Sequence, residues 1–163
     1  MFAAKREIVI KASPEKIFGI VSDLTRHAEL AGSKEVLKIR VLTKGPVGAG
    51  TRFEADEDIR EPKIMKTKFV AQSEVTACDP PKRFAWYSTP PGKPKMRVSW
   101  QYALEPRDGG TRVVQSVKAR MTNPLVHIFM GVPMMPMYAL TRGKVVTRGM
   151  AQTLENLKRA AEK

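Results

Sequence analysis

Few side chains in this sequence combine reactive chemistry with a setting in which that chemistry could be used. Tyr102, Tyr138, His127 and Glu57 are the titratable residues that could exchange protons with a bound substrate. General acid–base catalysis requires such groups to be held in reach of one substrate. Because their spacing forms no recognisable catalytic arrangement, we predict no catalytic residue, and an enzymatic function stays an alternative interpretation.

Signals for metal, disulfide and phosphate binding are missing from the sequence. The two histidines, His27 and His127, are far apart and have no metal-ligand spacing. His27 stands in a polar stretch and is predicted to be exposed, whereas His127 is predicted to be a buried, hydrogen-bonded residue or a cavity residue. The single cysteine, Cys78, excludes an internal disulfide and a cysteine-rich metal site. We therefore expect no metal and no cofactor.

A run of carboxylates lies between residues 54 and 61, at Glu54, Asp56, Glu57, Asp58 and Glu61. Paired carboxylates at such spacing could serve acid–base chemistry or bind a cation. The favoured interpretation is that they form cross-strand ion pairs within a hairpin. The predicted partners are Lys63, Lys66 and Lys68.

Apolar and aromatic residues alternate along two later segments and predict a sheet face that is covered by another layer. This face is either ordinary core or the wall of a cavity, and Gln115, which interrupts it, needs a hydrogen-bond partner if buried. Gly143 and Gly149 lie inside a predicted helix, where each costs about 1 kcal/mol relative to alanine. A gap beside Gly143 would leave room for a ligand. The candidate ligand-binding residues are Phe53, Phe69, Ser73, Trp86, Val98, Trp100, Tyr102, Gln115, Val117, His127, Phe129, Met134, Tyr138, Gly143, Val146 and Met150.

The segment from residue 125 to 138 is unusually rich in methionine, with four of the nine methionines between Met130 and Met137. Methionine side chains are flexible and adapt to irregular partners. Pro133 and Pro136 interrupt any smooth helix there. Three interpretations remain open: plain core, a hydrophobic gate over a cavity, or an apolar docking patch.

The composition predicts one domain, from residue 1 to 163, with an excess of positive charge. The 163 residues are 42% hydrophobic and 28% charged, and the net charge is +13. Twelve Lys and Arg lie between Pro80 and Leu154, against only Glu105 and Asp108. We interpret most of them as a solvated face, and a peripheral contact with an anionic membrane stays open. Nucleic-acid binding is disfavoured because no binding motif accompanies the charge.

The sequence has no pattern typical of a signal peptide, and prolines interrupt its most apolar stretch, from Pro124 to Leu140. We therefore expect a cytoplasmic protein, with peripheral membrane association left open. The sequence does not indicate an oligomeric state.

The elements that must position the candidate residues follow a clear order. A strand over Lys5–Ala12 precedes a helix that starts at Ser13-Pro14, where serine caps and proline occupies the first helical position. A second short helix is predicted over Thr25–Ala31. Later segments alternate as strands joined by short turns, which indicates an antiparallel meander. These strands are Val36–Val41, Thr51–Asp58, Ile64–Cys78, Phe84–Ser88, Met96–Leu104 and Val113–Met121. A short helix from Asn123 to about Phe129 and a long helix from beyond Pro136 to about Ala161 complete the chain.

This order of elements resembles the START-like superfamily, or helix-grip fold, and most of all its polyketide cyclase/dehydrase branch. The residues that carry the resemblance are Ile10–Phe18, Val21–Asp23, Val47–Phe53, Asp79–Trp86, Trp100–Pro106, Gly110–Val113 and Thr153–Lys158. Leu30 stands where many members have tryptophan. The resemblance implies an α+β fold in which a curved antiparallel sheet of about seven strands wraps around a long C-terminal helix, with two short helices after the first strand.

The resemblance also implies a mostly apolar cavity between the sheet and the long helix, which family members use for lipids, sterols, polyketides and quinones. The predicted function is therefore binding or transport of a hydrophobic small molecule. A cyclase/dehydratase enzyme acting on a polyketide-like substrate is the first alternative, and nucleic-acid binding through the basic surface is the second.

Overall fold

The structure is a computed structural model, and it describes residues 1–59, 67–91, 96–123, 125, 128, 136 and 140–163. The described strands form one antiparallel sheet. They are β1 (Phe2–Ile10), β2 (Val36–Val41), β3 (Arg52–Ile59), β4 (Thr67–Asp79), β5 (Arg83–Thr89), β6 (Met96–Arg107) and β7 (Gly110–Met121). Their order across the sheet is β1-β7-β6-β5-β4-β3-β2. Sequential strands from β2 to β7 are therefore neighbours, and β1 returns to pair with β7.

Short helical segments connect β1 to β2 across one end of the sheet. They are α1 (Pro14–Ser22), a 3₁₀ turn (Leu24–Arg26) and α2 (His27–Leu30). The Ser13 hydroxyl accepts a hydrogen bond from the Lys16 backbone nitrogen at 3.2 Å, as its capping position predicts. Ile17 and Val21 of α1 are fully buried, so this helix covers part of the sheet.

The long helix, α3 (Arg142–Ala161), lies against the sheet and contributes residues to two clusters of buried side chains. Leu154, Leu157 and Ala161 join the larger cluster, which includes residues of α1 and the sheet. Met150 belongs to the smaller cluster with Phe2 and residues of β7, and Val146 packs against it.

The predicted α+β helix-grip architecture is confirmed, as are all seven strands to within a few residues. β1 begins at Phe2, earlier than Lys5, because Phe2 to Ile10 pair continuously with Ala119 to Thr111 of β7. The predicted short helix after Asn123 and the start of the long helix fall mainly on residues outside the described part of the chain. None of the helices in the described ranges has the length and apolar content that a membrane span requires.

Candidate ligand-binding cavity

A cavity of about 210 Å³ lies between the sheet and the N-terminal half of α3. Alternate residues of β3 and β6, among them Phe53, Ala55, Val98 and Trp100, form much of its wall. Successive side chains of a strand point to opposite faces, so one apolar set from each strand faces the cavity. α2 and the segment after it close one side, and α3 closes another.

Nine of the sixteen candidate residues line this cavity: Phe53, Phe69, Trp86, Val98, Trp100, Tyr102, Gln115, Val146 and Met150. They come from β3, β4, β5, β6, β7 and α3, so only the fold brings them together. Four others, His127, Phe129, Met134 and Tyr138, lie outside the described residues.

Three candidate residues lie apart from the cavity wall. Ser73 is buried behind it and shares a 2.8 Å hydrogen bond with Ser88, which does line the cavity. Val117 is 2% exposed and packs in the smaller core cluster. The expected gap beside Gly143 does not exist, because a Cβ there would lie 2.8 Å from Cε2 of Phe2. Glycine at this position admits the Phe2 ring against the helix.

Gly149, by contrast, borders the cavity where the segment after α2 approaches α3 most closely. A Cβ on Gly149 would lie 3.1 Å from that of Ser33, and a Cβ on Gly32 would meet the Gly149 carbonyl oxygen. The Gly32 backbone nitrogen donates to the Thr153 hydroxyl at 2.9 Å, and the Asn156 amide donates to the Leu30 carbonyl at 3.1 Å. These contacts fasten the segment to the middle of α3.

An aromatic wall is the main apolar feature of the cavity. The rings of Trp86 and Trp100 stack with centroids 6.3 Å apart and an interplanar angle of 16°. The Tyr102 ring lies 6.0 Å from Trp86 on the same face. β5 and β6 place these rings together, since Trp86 and Trp100 are direct cross-strand partners.

His27 belongs to this wall, so the prediction that it is exposed is wrong. Its ring lies 4.9 Å from the Trp86 ring and also contacts the edges of Phe53 and Phe84. Nε2 is 2.8 Å from the Val21 carbonyl oxygen, which can only accept, so Nε2 carries a proton. Desolvation lowers the pKa of His27, although the bond to Val21 opposes this shift. The imidazole is therefore neutral at neutral pH, with Nδ1 as an acceptor.

Tyr102 and Gln115 form a polar pair within the apolar wall. Both residues are 4% exposed, and Nε2 of Gln115 donates to the Tyr102 hydroxyl at 3.1 Å. Burial raises the pKa of Tyr102, so the phenol keeps its proton. Oε1 of Gln115 is buried and has no hydrogen-bond partner among the described residues.

A second polar group lies where β2, β3 and the start of α3 meet. Arg142 and Glu35 form a two-fold ion pair with nitrogen–oxygen distances of 2.7 and 2.8 Å, and each side chain is 14% exposed. Glu57 lines the same cavity. Desolvation raises the pKa of Glu57 to about 7, with Glu35 adding to the rise and Arg142 opposing it. This carboxyl can therefore exchange a proton near neutral pH.

The other carboxylates of β3 point away from the cavity, and the lysine pairing predicted for them is wrong for Glu54 and Asp56. Arg40 of β2 bonds Asp56 at 2.6 Å and Glu54 at 3.1 Å. The hydrogen bond from Arg40 lowers the pKa of Asp56. β3 pairs with β2 on one side and with β4 on the other, and the sequence does not indicate which of the two strands supplies the cation. In the structure it is β2. Glu61, Lys63 and Lys66 lie outside the described residues.

The sequence did not reveal Glu35 and Arg142, and it indicated Glu57 as a titratable group without placing it among the ligand-binding residues. A signal for Glu57 was present, because it shares the period-two set Phe53, Ala55, Glu57 and Ile59 with three apolar residues. Glu35 and Arg142 are 107 positions apart and belong to a turn and a helix end, where no periodic pattern applies.

Comparison with known proteins agrees with the fold. A family model described as "Polyketide cyclase / dehydrase and lipid transport" matches residues 1–162. No curated protein matches the chain.

Several solved structures share the fold at low sequence identity. One is the di-domain ARO/CYC StfQ from the steffimycin biosynthetic pathway, with a TM-score of 0.71 and 13% identity over 98% of this chain and 50% of StfQ. Another is the di-domain ARO/CYC BexL from the BE-7585A biosynthetic pathway, with a TM-score of 0.67 and 15% identity over 99% of this chain and 50% of BexL. TTHA0849 from Thermus thermophilus matches with a TM-score of 0.63 and 20% identity, over 98% of this chain and 97% of TTHA0849. The chain thus spans half the length of each di-domain protein.

Proposed function

We propose that this chain, which belongs to the polyketide cyclase / dehydrase and lipid transport family, binds a hydrophobic small molecule containing a flat unsaturated ring in the cavity beneath α3. The observation that carries the proposal is the cavity itself, whose wall is mainly apolar, with Trp86 and Trp100, and has polar side chains at separate places. Pockets of this kind derive affinity from apolar contact and orientation from a small number of hydrogen bonds.

The size of the cavity supports a ring-sized ligand. An apolar cavity of about 150 Å³ stays dry and admits benzene, and this cavity measures about 210 Å³. The parallel faces of Trp86 and Trp100 offer a surface on which a flat ring can stack.

The two tryptophans provide a direct test, because both belong to the cavity wall and the chain has no others. The neutral dye N-phenyl-1-naphthylamine should bind with a stoichiometry of one, quench tryptophan emission and gain emission of its own. Val98→Phe should weaken this binding at least ten-fold, because the added ring fills the cavity.

Val70→Phe is the matched control, because Val70 is 42% exposed on β4, outside the cavity. It should bind the dye as the unaltered protein does. Absence of saturable binding, or equal loss in both variants, would overturn the proposal.

A second candidate function is acid–base catalysis in the same cavity, and the observation that favours it is Glu57, a cavity carboxyl with a pKa of about 7. A carboxyl of this kind suits proton transfer in a cyclisation or dehydration. The test is turnover of an aromatic poly-β-ketone by the unaltered chain and by Glu57→Gln. Loss of turnover with retained dye binding supports catalysis, and Glu54→Gln on the outer face of β3 is the matched control. An unaltered chain that produces no cyclised product contradicts this function.

A peripheral contact with an anionic membrane and a cytoplasmic location both stay predictions. Part of the basic surface is already engaged, since Arg112 forms ion pairs with Glu7 and Glu105 at 2.6 and 2.7 Å. Cosedimentation with vesicles of phosphatidylcholine, with and without phosphatidylserine, tests the contact. If the same fraction of the protein sediments with both vesicle types, the membrane contact is contradicted.

A further inference from the structure

The pair formed by Tyr102 and Gln115 has unused hydrogen-bonding capacity at a buried position. Gln115 gives one amide hydrogen to the Tyr102 oxygen, which leaves its own Oε1 without a partner among the described residues. The Tyr102 oxygen accepts in this bond, so its hydroxyl hydrogen is available to another acceptor. Within the described ranges, the pair therefore presents one acceptor and one donor.

With the amide nitrogen of Gln115 directed at Tyr102, as it is here, the group left without a partner among the described residues is an acceptor. Exchanging the oxygen and nitrogen of Gln115 would let Tyr102 donate to the amide oxygen, and the amide nitrogen would then lack an acceptor. Buried polar groups in folded proteins are nearly always hydrogen-bonded. A group at the cavity that departs from this rule is a candidate for completion by a ligand.

The polar pair formed by Ser88 of the wall and Ser73 behind it differs, because the two hydroxyl groups bond each other at 2.8 Å. Ser88 is opposite Val98 on β6, whereas Gln115 is opposite Tyr102, four positions further along the same strand. At about 3.4 Å per residue, the two pairs are displaced by about 14 Å along the strand direction. The unpaired hydrogen-bonding group therefore lies at the Tyr102 end of the wall, and Trp100 lies between the two pairs along β6.

We propose that the ligand of this cavity carries a phenolic or enolic hydroxyl that donates to Oε1 of Gln115 and accepts from the Tyr102 hydroxyl. A hydroxyl is the smallest group that performs both roles at once, and its attached ring would lie along Trp86 and Trp100. An ether or ketone oxygen only accepts and would leave Oε1 unpaired. This inference rests on the proposed function and narrows its ligand class.

Three related probes test the inference: naphthalene, 1-naphthol and 1-methoxynaphthalene, measured by equilibrium dialysis at pH 7. The unaltered protein should bind 1-naphthol about ten-fold more tightly than 1-methoxynaphthalene, which keeps the ring and the acceptor and lacks the donor. Gln115→Met should reduce this ratio to near one without abolishing naphthalene binding. Gln101→Met is the matched control, since Gln101 lies next to Tyr102 on β6 but is not part of the cavity wall.

The outcomes separate the inference from the function on which it rests. If none of the three probes binds, the proposed function fails. If naphthalene binds and 1-methoxynaphthalene binds as tightly as 1-naphthol, only the inference fails. The same holds if Gln115→Met and Gln101→Met give equal ratios. Should Gln115→Met not fold, the probe ratio on the unaltered protein decides by itself.

Discussion

The two halves of α3 meet the sheet in different ways. In the C-terminal half, Leu154, Leu157 and Ala161 are at most 2% exposed and belong to a closely packed cluster. In the N-terminal half, Val146 and Met150 border an open cavity. Both halves continue the same apolar stripe, so the periodicity of a helix predicts which face is covered and not how tightly it is filled.

The difference arises from what lies opposite each half. Residues of α1, including Ile17 and Val21, fill the space in the cluster that holds Leu157. Opposite Val146, the large rings of Trp86 and Trp100 stack on each other along the sheet and leave space in front of them. Close packing therefore concentrates in one half of the helix, and open space in the other.

The largest contrast is expected from truncating one side chain in each half. Leu157→Ala should lower the free energy of unfolding by about 3 kcal/mol, because it creates a new void in a filled region. Val146→Ala should cost about 1 kcal/mol or less, since its neighbours already border a cavity. Urea unfolding of both variants measures the difference. Equal losses would mean that the two halves are packed alike.

The junction between the halves is tested by Gly32→Ala. The added Cβ would meet the Gly149 carbonyl oxygen and lie 2.6 Å from the Thr153 backbone nitrogen, so α3 must shift. We expect a loss of about 2 kcal/mol, typical of overpacking. Gly19→Ala is the matched control in α1, because nothing lies within 4 Å of its Cβ, and it should be neutral or stabilising. A Gly32→Ala variant as stable as the control would show that the segment around Gly32 can move away from α3 without a loss of stability.

The cavity half should also determine how stability depends on pH. The pKa of Glu57 is about 7 in the folded protein, above its usual 4.5. Between these values the folded state binds more protons than the unfolded state, so stability falls as pH rises from 4.5 to 7. Glu57→Gln should remove this dependence and be about 2 kcal/mol more stable than the unaltered chain at pH 8. Denaturant midpoints of both proteins at pH 4 and pH 8 measure this difference. Equal changes of midpoint with pH in the two proteins would contradict the raised pKa of Glu57.

The smallest effect concerns His27. Desolvation lowers its pKa, so its NMR titration should have a midpoint below the usual 6.5 and its proton should stay on Nε2. Because the unfolded state then binds more protons, His27 contributes a loss of stability as pH falls below 6.5. A midpoint at or above 6.5 would mean that the ring is hydrated rather than packed against Trp86.

The sequence predicted the parts of the fold that obey a local period or a local cap. Alternation located β6 and β7, and Ser13 with Pro14 located the start of α1. It also placed Trp100 and Gln115 on a common face, which the register of β6 and β7 bears out.

What the sequence could not predict depends on contacts between distant segments. His27 has polar neighbours in sequence and aromatic neighbours in space, because its ring reaches Trp86 and Phe84 of β5. In the sequence, Gly143 and Gly149 look like weak points of a helix, yet they mark close approaches to Phe2 and Ser33. Space around a glycine is set by whatever packs there, and a single sequence does not contain that information.

The alternation of β3 has a genetic consequence. Glu54 and Asp56 face Arg40, whereas Phe53, Ala55 and Glu57 face the cavity. Inserting or deleting one codon within this strand would exchange the two sets, turning carboxylates inward and the Phe53 ring outward. We therefore expect single-residue insertions or deletions in β3 to be tolerated only at the ends of the hairpin or where a β-bulge absorbs the change in register.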